Sequence, residues 1–223
     1  VGRNGAGKST VLRCLVGANK PTDGTVEIGG ERYSESSMAI RRDLATVIDD
    51  LDFFPDLSVV EHLDLLARAH GVEEPDELVD EVLEEVGLVP QSGQLPGTLS
   101  SGQRRRLALA TAFVRPRKLL VLDEPEQRLD VDGVAWLGER LAREVAEGLA
   151  VVFASHEPRL IEAVATRTVR IGDEEPDPGE AETDPPPVLQ TRSRPDSSPA
   201  KQAPKKQAPK KKSAGKKRGG RRR

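Results

Sequence analysis

Three sets of residues in this chain could do chemistry. Near its start, Gly2-Arg3-Asn4-Gly5-Ala6-Gly7-Lys8-Ser9-Thr10 matches G-x-x-x-x-G-K-[ST] in full, the spelling of a loop that wraps a polyphosphate. Glycines let successive backbone N–H groups turn inward, and a helix beginning at the end of the loop adds unpaired donors at its positive end. Lys8 is placed to reach the β- and γ-phosphates, and Ser9 to offer its hydroxyl to Mg²⁺, a hard cation that takes oxygen ligands. Chance alone would produce the pattern in roughly one chain in a hundred of this length, so it needs company.

The second set is Asp123-Glu124, released by the apolar run Leu119-Leu120-Val121-Leu122. An uninterrupted apolar run of that length reads as a buried parallel strand, and its carboxyl end is where an open α/β sheet presents its site. In phosphoryl transfer, the first such acid typically holds Mg²⁺ and its neighbour can polarise an attacking water. The third is His156, just beyond the apolar run Leu149 to Ala154. A lone histidine after a strand is usually a cap or a packed residue. Here it leaves the same sheet edge as the two acids, which makes it a site candidate. His62 and His70 lack metal-spaced acids around them and are read as surface or packing residues.

These sets need a scaffold that delivers them together, and the patterning supplies one. A helix from Lys8 should end near Gly17. Thr25 to Ile28 reads as a short strand, Met38 to Arg42 as a brief helix, and Leu44 to Ile48 as a strand entering the acidic loop 49–57. Ser58-Val59-Val60-Glu61 spells a capping box that opens a helix through His70, and residues 76–86 form a second amphipathic helix. Leu99-Ser100-Ser101-Gly102-Gln103 leads into a basic helix stopped by Pro116. A helix from Val131 to Glu147 follows, and residues 167–171 look like a last strand. The adjacent Phe53 and Phe54 suit either core anchoring or a partner-facing patch.

Composition narrows the class. With 223 residues and 36% apolar content the chain can bury one good core. Its single cysteine excludes an internal disulfide and a cysteine zinc site, which suits a reducing compartment, and Cys14 is expected to pack within its helix. No apolar run approaches the ~20 residues of a membrane span, and no secretory signal is visible. The net charge of −3 conceals three regions. Residues 1–172 carry 20 basic and 29 acidic side chains, 173–189 carry seven acids and no base, and 190–223 carry 14 bases and one acid.

The ordered set, from phosphate loop through acidic loop, L-S-S-G-Q, L-L-V-L-D-E-P and L-D to S-H, resembles the ATPase subunits of ATP-binding-cassette transporters over residues 1–172. L-S-S-G-Q is the element that separates this family from other phosphate-loop ATPases. The resemblance implies an α/β phosphate-loop NTPase fold: a parallel sheet flanked by helices, its core in residues 1–48 and 116–172. Composition, polar and proline-rich and then basic, predicts a disordered tail over 173–223, while the resemblance puts a helical subdomain at 49–115. It implies ATP and Mg²⁺ as cofactors and ATP hydrolysis as the activity. Asn4, Gly5, Gly7, Lys8, Ser9 and Thr10 would bind nucleotide, with Ser9 and Asp123 at Mg²⁺, Glu124 orienting water and His156 contacting the γ-phosphate. Ser100, Gly102 and Gln103 would bind ATP held by a second subunit, since family members pair head to tail. A separate membrane permease would be the other partner, placing the subunit on the cytoplasmic face of the membrane.

Several positions depart from the family pattern. Where the strand-to-insert loop usually carries a Mg²⁺-sensing glutamine, this chain has Asp49, whose carboxylate also suits Mg²⁺, followed by Asp50. Ser101 replaces a glycine, and Glu126-Gln127-Arg128 is bulkier and more charged than usual. Only Val1 precedes the loop, so the expectation is a fragment of a longer protein or a misplaced gene start. The strand and the adenine-stacking aromatic that normally lie upstream would then be missing and nucleotide affinity poor. The tail, with its repeat Lys201-Gln202-Ala203-Pro204-Lys205, suits solubility or contact with anionic lipid. Nucleic acid is disfavoured, because no aromatics lie among the bases. A soluble cassette acting on nucleic acid or ribosomes, and a degenerate regulatory cassette, are the alternatives to transport.

Overall fold

In a computed structural model describing residues 1–34 and 36–172, a parallel sheet in the order β3-β4-β5 carries the candidate residues. Its strands are β3 (Leu44–Val47), β4 (Leu119–Asp123) and β5 (Ala150–Ala154). The apolar run of β4 puts it in the centre, where Leu120, Val121 and Leu122 are fully buried. Strand periodicity then sorts its side chains between two layers. Leu120 and Leu122 join a large cluster with Leu63, Leu107 and Leu137, while Val121 packs with Leu12, Ile40 and Leu44 on the opposite face.

Helix α1 (Lys8–Leu15) lies against β4 and β5, continuous with the phosphate loop. After a two-residue hairpin, β1 (Glu27–Ile28) with β2 (Glu31–Arg32), helix α2 (Met38–Asp43) feeds β3. The helical stretch consists of α3 (Val59–Ala69), α4 (Pro75–Glu85) and α5 (Ser101–Phe113). The Ser58–Glu61 capping box forms: the Ser58 N–H donates to Glu61 Oε2 at 2.8 Å, and the Glu61 N–H to Ser58 Oγ at 3.4 Å. The apolar stripes of these helices share the large cluster with β4 and with α6 (Val131–Ala146).

Four expectations change. The strand expected from Thr25 is only two residues long, and its partner β2 follows directly after Gly29-Gly30. Helix α7 (Pro158–Val164) has no counterpart in the sequence reading, although its signals are ordinary. Pro158 occupies the first turn, Glu157 accepts from the Arg159 N–H at 3.3 Å, and Leu160 and Val164 are buried one turn apart. Residues 167–171 are not a strand. Their ladder-like bonds both go to Val1, which donates to the Val169 carbonyl at 2.8 Å and accepts from the Ile171 N–H at 2.9 Å. Two bonds to one residue do not propagate a ladder. Cys14, finally, is half-buried rather than enclosed.

No helix among the described residues is long and apolar enough to cross a membrane. The readings made for the tail, including lipid contact, fall on 173–223 and lie outside the described residues.

Candidate active site

The phosphate loop closes through a bond from the Ala6 N–H to the Arg3 carbonyl at 3.1 Å, leaving Asn4 and Gly5 exposed at its crest. Gly5 and Gly7 have φ of 82° and 97°, in the region that side chains with a Cβ disfavour. Gly7 is also the residue from which α1 starts, so Lys8, Ser9 and Thr10 form the helix's first turn, where backbone donors are unpaired. Lys8 is the buried member, 6% exposed. Its ammonium donates to the carbonyls of Gly2 at 2.8 Å and Arg3 at 3.1 Å, and to His156 Nε2 at 2.7 Å.

The end of β4 meets this cluster from the other side. Glu124 Oε1 lies 3.5 Å from His156 Nε2, so Lys8, His156 and Glu124 converge although 148 residues separate the first two in sequence. Asp123 is buried, and its Oδ1 has no hydrogen-bond partner among the described residues. An orphaned buried carboxylate oxygen is costly unless something fills the need. Beside a phosphate loop, a hard cation fits that donor, so Asp123 and Ser9 suit Mg²⁺.

Glu124 also sits in strained backbone, with φ of 43°. A non-glycine residue in that region costs ~1–3 kcal/mol and persists only where its surroundings over-determine it. Two contacts do so. The Glu124 N–H donates to the Ala154 carbonyl at 2.8 Å, tying the β4 exit to β5. From α5, the buried Arg105 guanidinium donates to the carbonyls of Asp123 at 2.7 Å, Glu124 at 2.6 Å and Pro125 at 3.1 Å. Arg105 is the functional residue that sequence reasoning misses. Pattern alone marks it as one part of a basic helix, and no signal in Arg104-Arg105-Arg106 tells which arginine turns inward.

The three unusual residues after Pro125 are all engaged. Glu126 accepts from Ser155 Oγ at 2.6 Å and from the His156 N–H at 3.1 Å. The Gln127 amide donates to Glu124 Oε2. Arg128, left-handed at φ 65°, forms a two-pronged pair with Asp50 at 2.6 and 3.0 Å.

Both the motifs and the fold have counterparts among known proteins. The family model for ABC transporter matches residues 1–127, more than half of the chain. The chain belongs to the ABC transporter family. Among relatives, it is 34% identical over 175 residues to the SkfA peptide export ATP-binding protein SkfE of Bacillus subtilis, covering 78% of this chain and 72% of that one. It is 36% identical to the bacitracin transport ATP-binding protein BcrA of Bacillus licheniformis, over 70% of this chain but only 51% of that relative. In three dimensions it resembles an ATP-binding subunit of an ABC transporter, with a TM-score of 0.71 at 28% identity, over 77% of this chain and 72% of that one. It also resembles the dimeric post-hydrolysis cassette MJ0796 bound to ADP and Pi, with a TM-score of 0.69 at 26% identity, over 77% of this chain and 79% of that one.

The ABC assignment clarifies what the structure does and does not bring together. Ser100 caps α5, accepting from the Gln103 N–H at 3.2 Å while the Ser100 N–H donates to Gln103 Oε1 at 2.9 Å. The carbonyl oxygen of Gln103 is thus engaged within its own helix end. Gly102 is needed for close approach, since a Cβ there would lie 3.0 Å from the Arg128 carbonyl. These three signature residues gather at the start of α5 and flank the Arg128 turn, apart from the Lys8 cluster. Asp49 faces Arg13 of α1, whose Nε donates to Oδ2 at 3.0 Å. Its carboxylate is committed to a guanidinium, and its backbone is left-handed at φ 61°.

On the far side of this loop, Phe53 packs partly into the core while Phe54 stays 56% exposed. The buried His62 ring sits 5.3 Å from Phe53 and 5.4 Å from Phe54, and burial pushes its imidazole below the usual histidine range. The packing reading of His62 therefore holds, and the two phenylalanines divide between the core and surface roles.

Proposed function

We propose that this chain is the ATP-binding and ATP-hydrolysing subunit of an ABC transporter, coupling closure of two subunits around ATP to a separate membrane permease. The observation that carries this reading is the convergence of Lys8, His156 and Glu124 beside the orphaned Asp123 carboxylate. Lys8 and the N-terminal donors of α1 would hold the phosphates. Glu124 would align a water for in-line attack, with His156 contacting the γ-phosphate. Mg²⁺ held by Ser9 and Asp123 would neutralise charge developing on the phosphate oxygens.

Closure in a head-to-tail pair would present Ser100, Gly102 and the N-terminus of α5 to ATP on the other subunit's loop, an arrangement of donors suited to an anion. The dimeric cassette among its structural neighbours supports pairing of two such chains. Relatives named for peptide export and bacitracin transport favour transport over action on nucleic acid. The loop at Asp49 to Phe53 borders a cleft of about 390 Å³ against α5.

The decisive experiment is phosphate release from ATP by the purified chain with Mg²⁺. Glu124→Gln is expected to lower turnover by about 10²–10⁴-fold while retaining ATP binding. Undiminished hydrolysis in that variant would remove Glu124 from the water-aligning role.

A further inference from the structure

The turn after Asp123 and Glu124 carries a third acid, Glu126, and its contacts run to the loop after β5 that bears His156, here called the switch loop. One oxygen, Oε1, accepts two hydrogen bonds: from Ser155 Oγ at 2.6 Å and from the His156 backbone N–H at 3.1 Å. Ser155 is 2% exposed and its Oγ in turn accepts from the Glu157 N–H at 2.9 Å. The residues on both sides of the histidine are therefore held through one carboxylate. That carboxylate belongs to the turn bearing Glu124, which Arg105 already clamps. Arg105 also lies close enough to Glu126 for the two opposite charges to interact.

We infer that Glu126 is a positioning residue for His156, making the catalytic turn and the switch loop one hydrogen-bonded unit that aims the imidazole at Lys8 and Glu124. The inference rests on the proposed roles of Glu124 at the attacking water and His156 at the γ-phosphate. Its physical basis is the choice of acceptor. A carboxylate oxygen binds two donors more strongly than a neutral oxygen does, and a backbone N–H and a hydroxyl from adjacent residues fix the direction in which His156 leaves the strand. The ring then reaches 2.7 Å from Lys8 Nζ and 3.5 Å from Glu124 Oε1. Without that support the turn after β5 keeps its fold through β5 and α7 but loses the restraint on the histidine's direction.

The test uses the full chain and two independent readouts. In steady-state ATP hydrolysis, Glu126→Ala should lower kcat about tenfold, as a small misplacement of a reacting group does, with KM for ATP changed by less than about twofold. Glu126→Gln keeps one oxygen able to accept both bonds and should recover most of kcat. In nitrogen-resolved NMR of the imidazoles, Glu126→Ala should move the ring signals of His156 and leave those of His62 and His70 in place, with Glu126→Gln close to the parent chain. Unmoved His156 signals in Glu126→Ala, or an Ala variant with parental kcat in a chain that hydrolyses ATP, would overturn the positioning role. If the parent chain itself fails to hydrolyse ATP while His156 still moves, the positioning role stands and the hydrolytic reading fails. Should the alanine variant not fold, Glu126→Gln carries the test through its spectrum: a displaced His156 ring despite the retained acceptor oxygen would overturn the inference.

Discussion

The turn after β4 and the loop after β3 each set two neighbouring acids at the same sheet edge, Asp123-Glu124 in one and Asp49-Asp50 in the other, and each contains a non-glycine residue in left-handed backbone. They are held by different physics. The β4 turn is fixed by polar bonds centred on a buried guanidinium: three from Arg105 to backbone carbonyls, one from the Glu124 N–H to β5, and two onto Glu126, of which the one from the His156 N–H is exposed. The β3 loop is fixed by ion pairs at the surface, Asp49 with Arg13 and Asp50 with Arg128, all of them more than a third exposed. Buried bonds to fixed partners hold geometry against thermal motion. Exposed ion pairs are screened and typically contribute ~0–1 kcal/mol. A site that must place reacting groups to within a fraction of an ångström needs the first kind. A loop at the surface can be held by the second.

The sharpest way to break this contrast is at Lys8, where the polar network meets the phosphate loop. Lys8→Ala removes the ammonium that bonds Gly2, Arg3 and His156. ATP binding, read by calorimetry or a fluorescent analogue, should weaken by at least about 100-fold, the scale of losing a charge-assisted contact in a site that excludes water. Affinity within a few-fold of the parent would mean that Lys8 only stitches the loop, and the two regions would then differ less than their contacts imply.

Next in size is the clamp. Arg105→Met strips donors from three carbonyls at the β4 turn, and buried acceptors left without donors cost ~1–3 kcal/mol each, less than additively. Urea unfolding should show a loss of roughly 2–4 kcal/mol, with Arg105→Lys intermediate because an ammonium cannot span all three oxygens. A loss below about 1 kcal/mol, the net worth of one ordinary hydrogen bond, would show that the strain at Glu124 is held by the sheet alone.

Much of the site is legible in the sequence where a motif is short and its geometry is local. The phosphate loop, the apolar strand ending in Asp123-Glu124, and the capping box at Ser58 each state their structure within a short run of residues. The approach of His156 to Lys8 follows from sequence only in kind, through the sheet edge they share. Arg105 stays hidden because nothing in Arg104-Arg105-Arg106 says which arginine turns inward until α5 is packed. The roles of Glu126 and Arg128 are equally closed. Their partners, Ser155 and Asp50, lie 29 and 78 residues away and are chosen by tertiary packing. The strand expected at 167–171 fails for a related cause: β-branched residues announce a strand, but pairing needs a neighbour, and the bonds there reach a single residue.

The smallest effect separates the two regions most cleanly. Arg128 stands at φ 65°, where a residue with a Cβ costs roughly 1–2 kcal/mol relative to glycine. Its pair with Asp50 returns little, being exposed on both sides. A double-mutant cycle of Asp50→Asn with Arg128→Ala should therefore give a coupling energy under ~1 kcal/mol, falling further as salt rises. Arg128→Gly, which loses the pair but relieves the backbone, should be more stable than Arg128→Ala by about 1 kcal/mol. The Asp50 carboxylate, held below the usual range by the Arg128 hydrogen bond, should move back up in either variant. A coupling above about 2 kcal/mol, beyond what exposed pairs deliver, would put this surface loop on the footing of the β4 turn. The unusual Arg128 would then be a structural tie between the two acidic loops of that sheet edge rather than a strained substitution that its ion pair partly offsets.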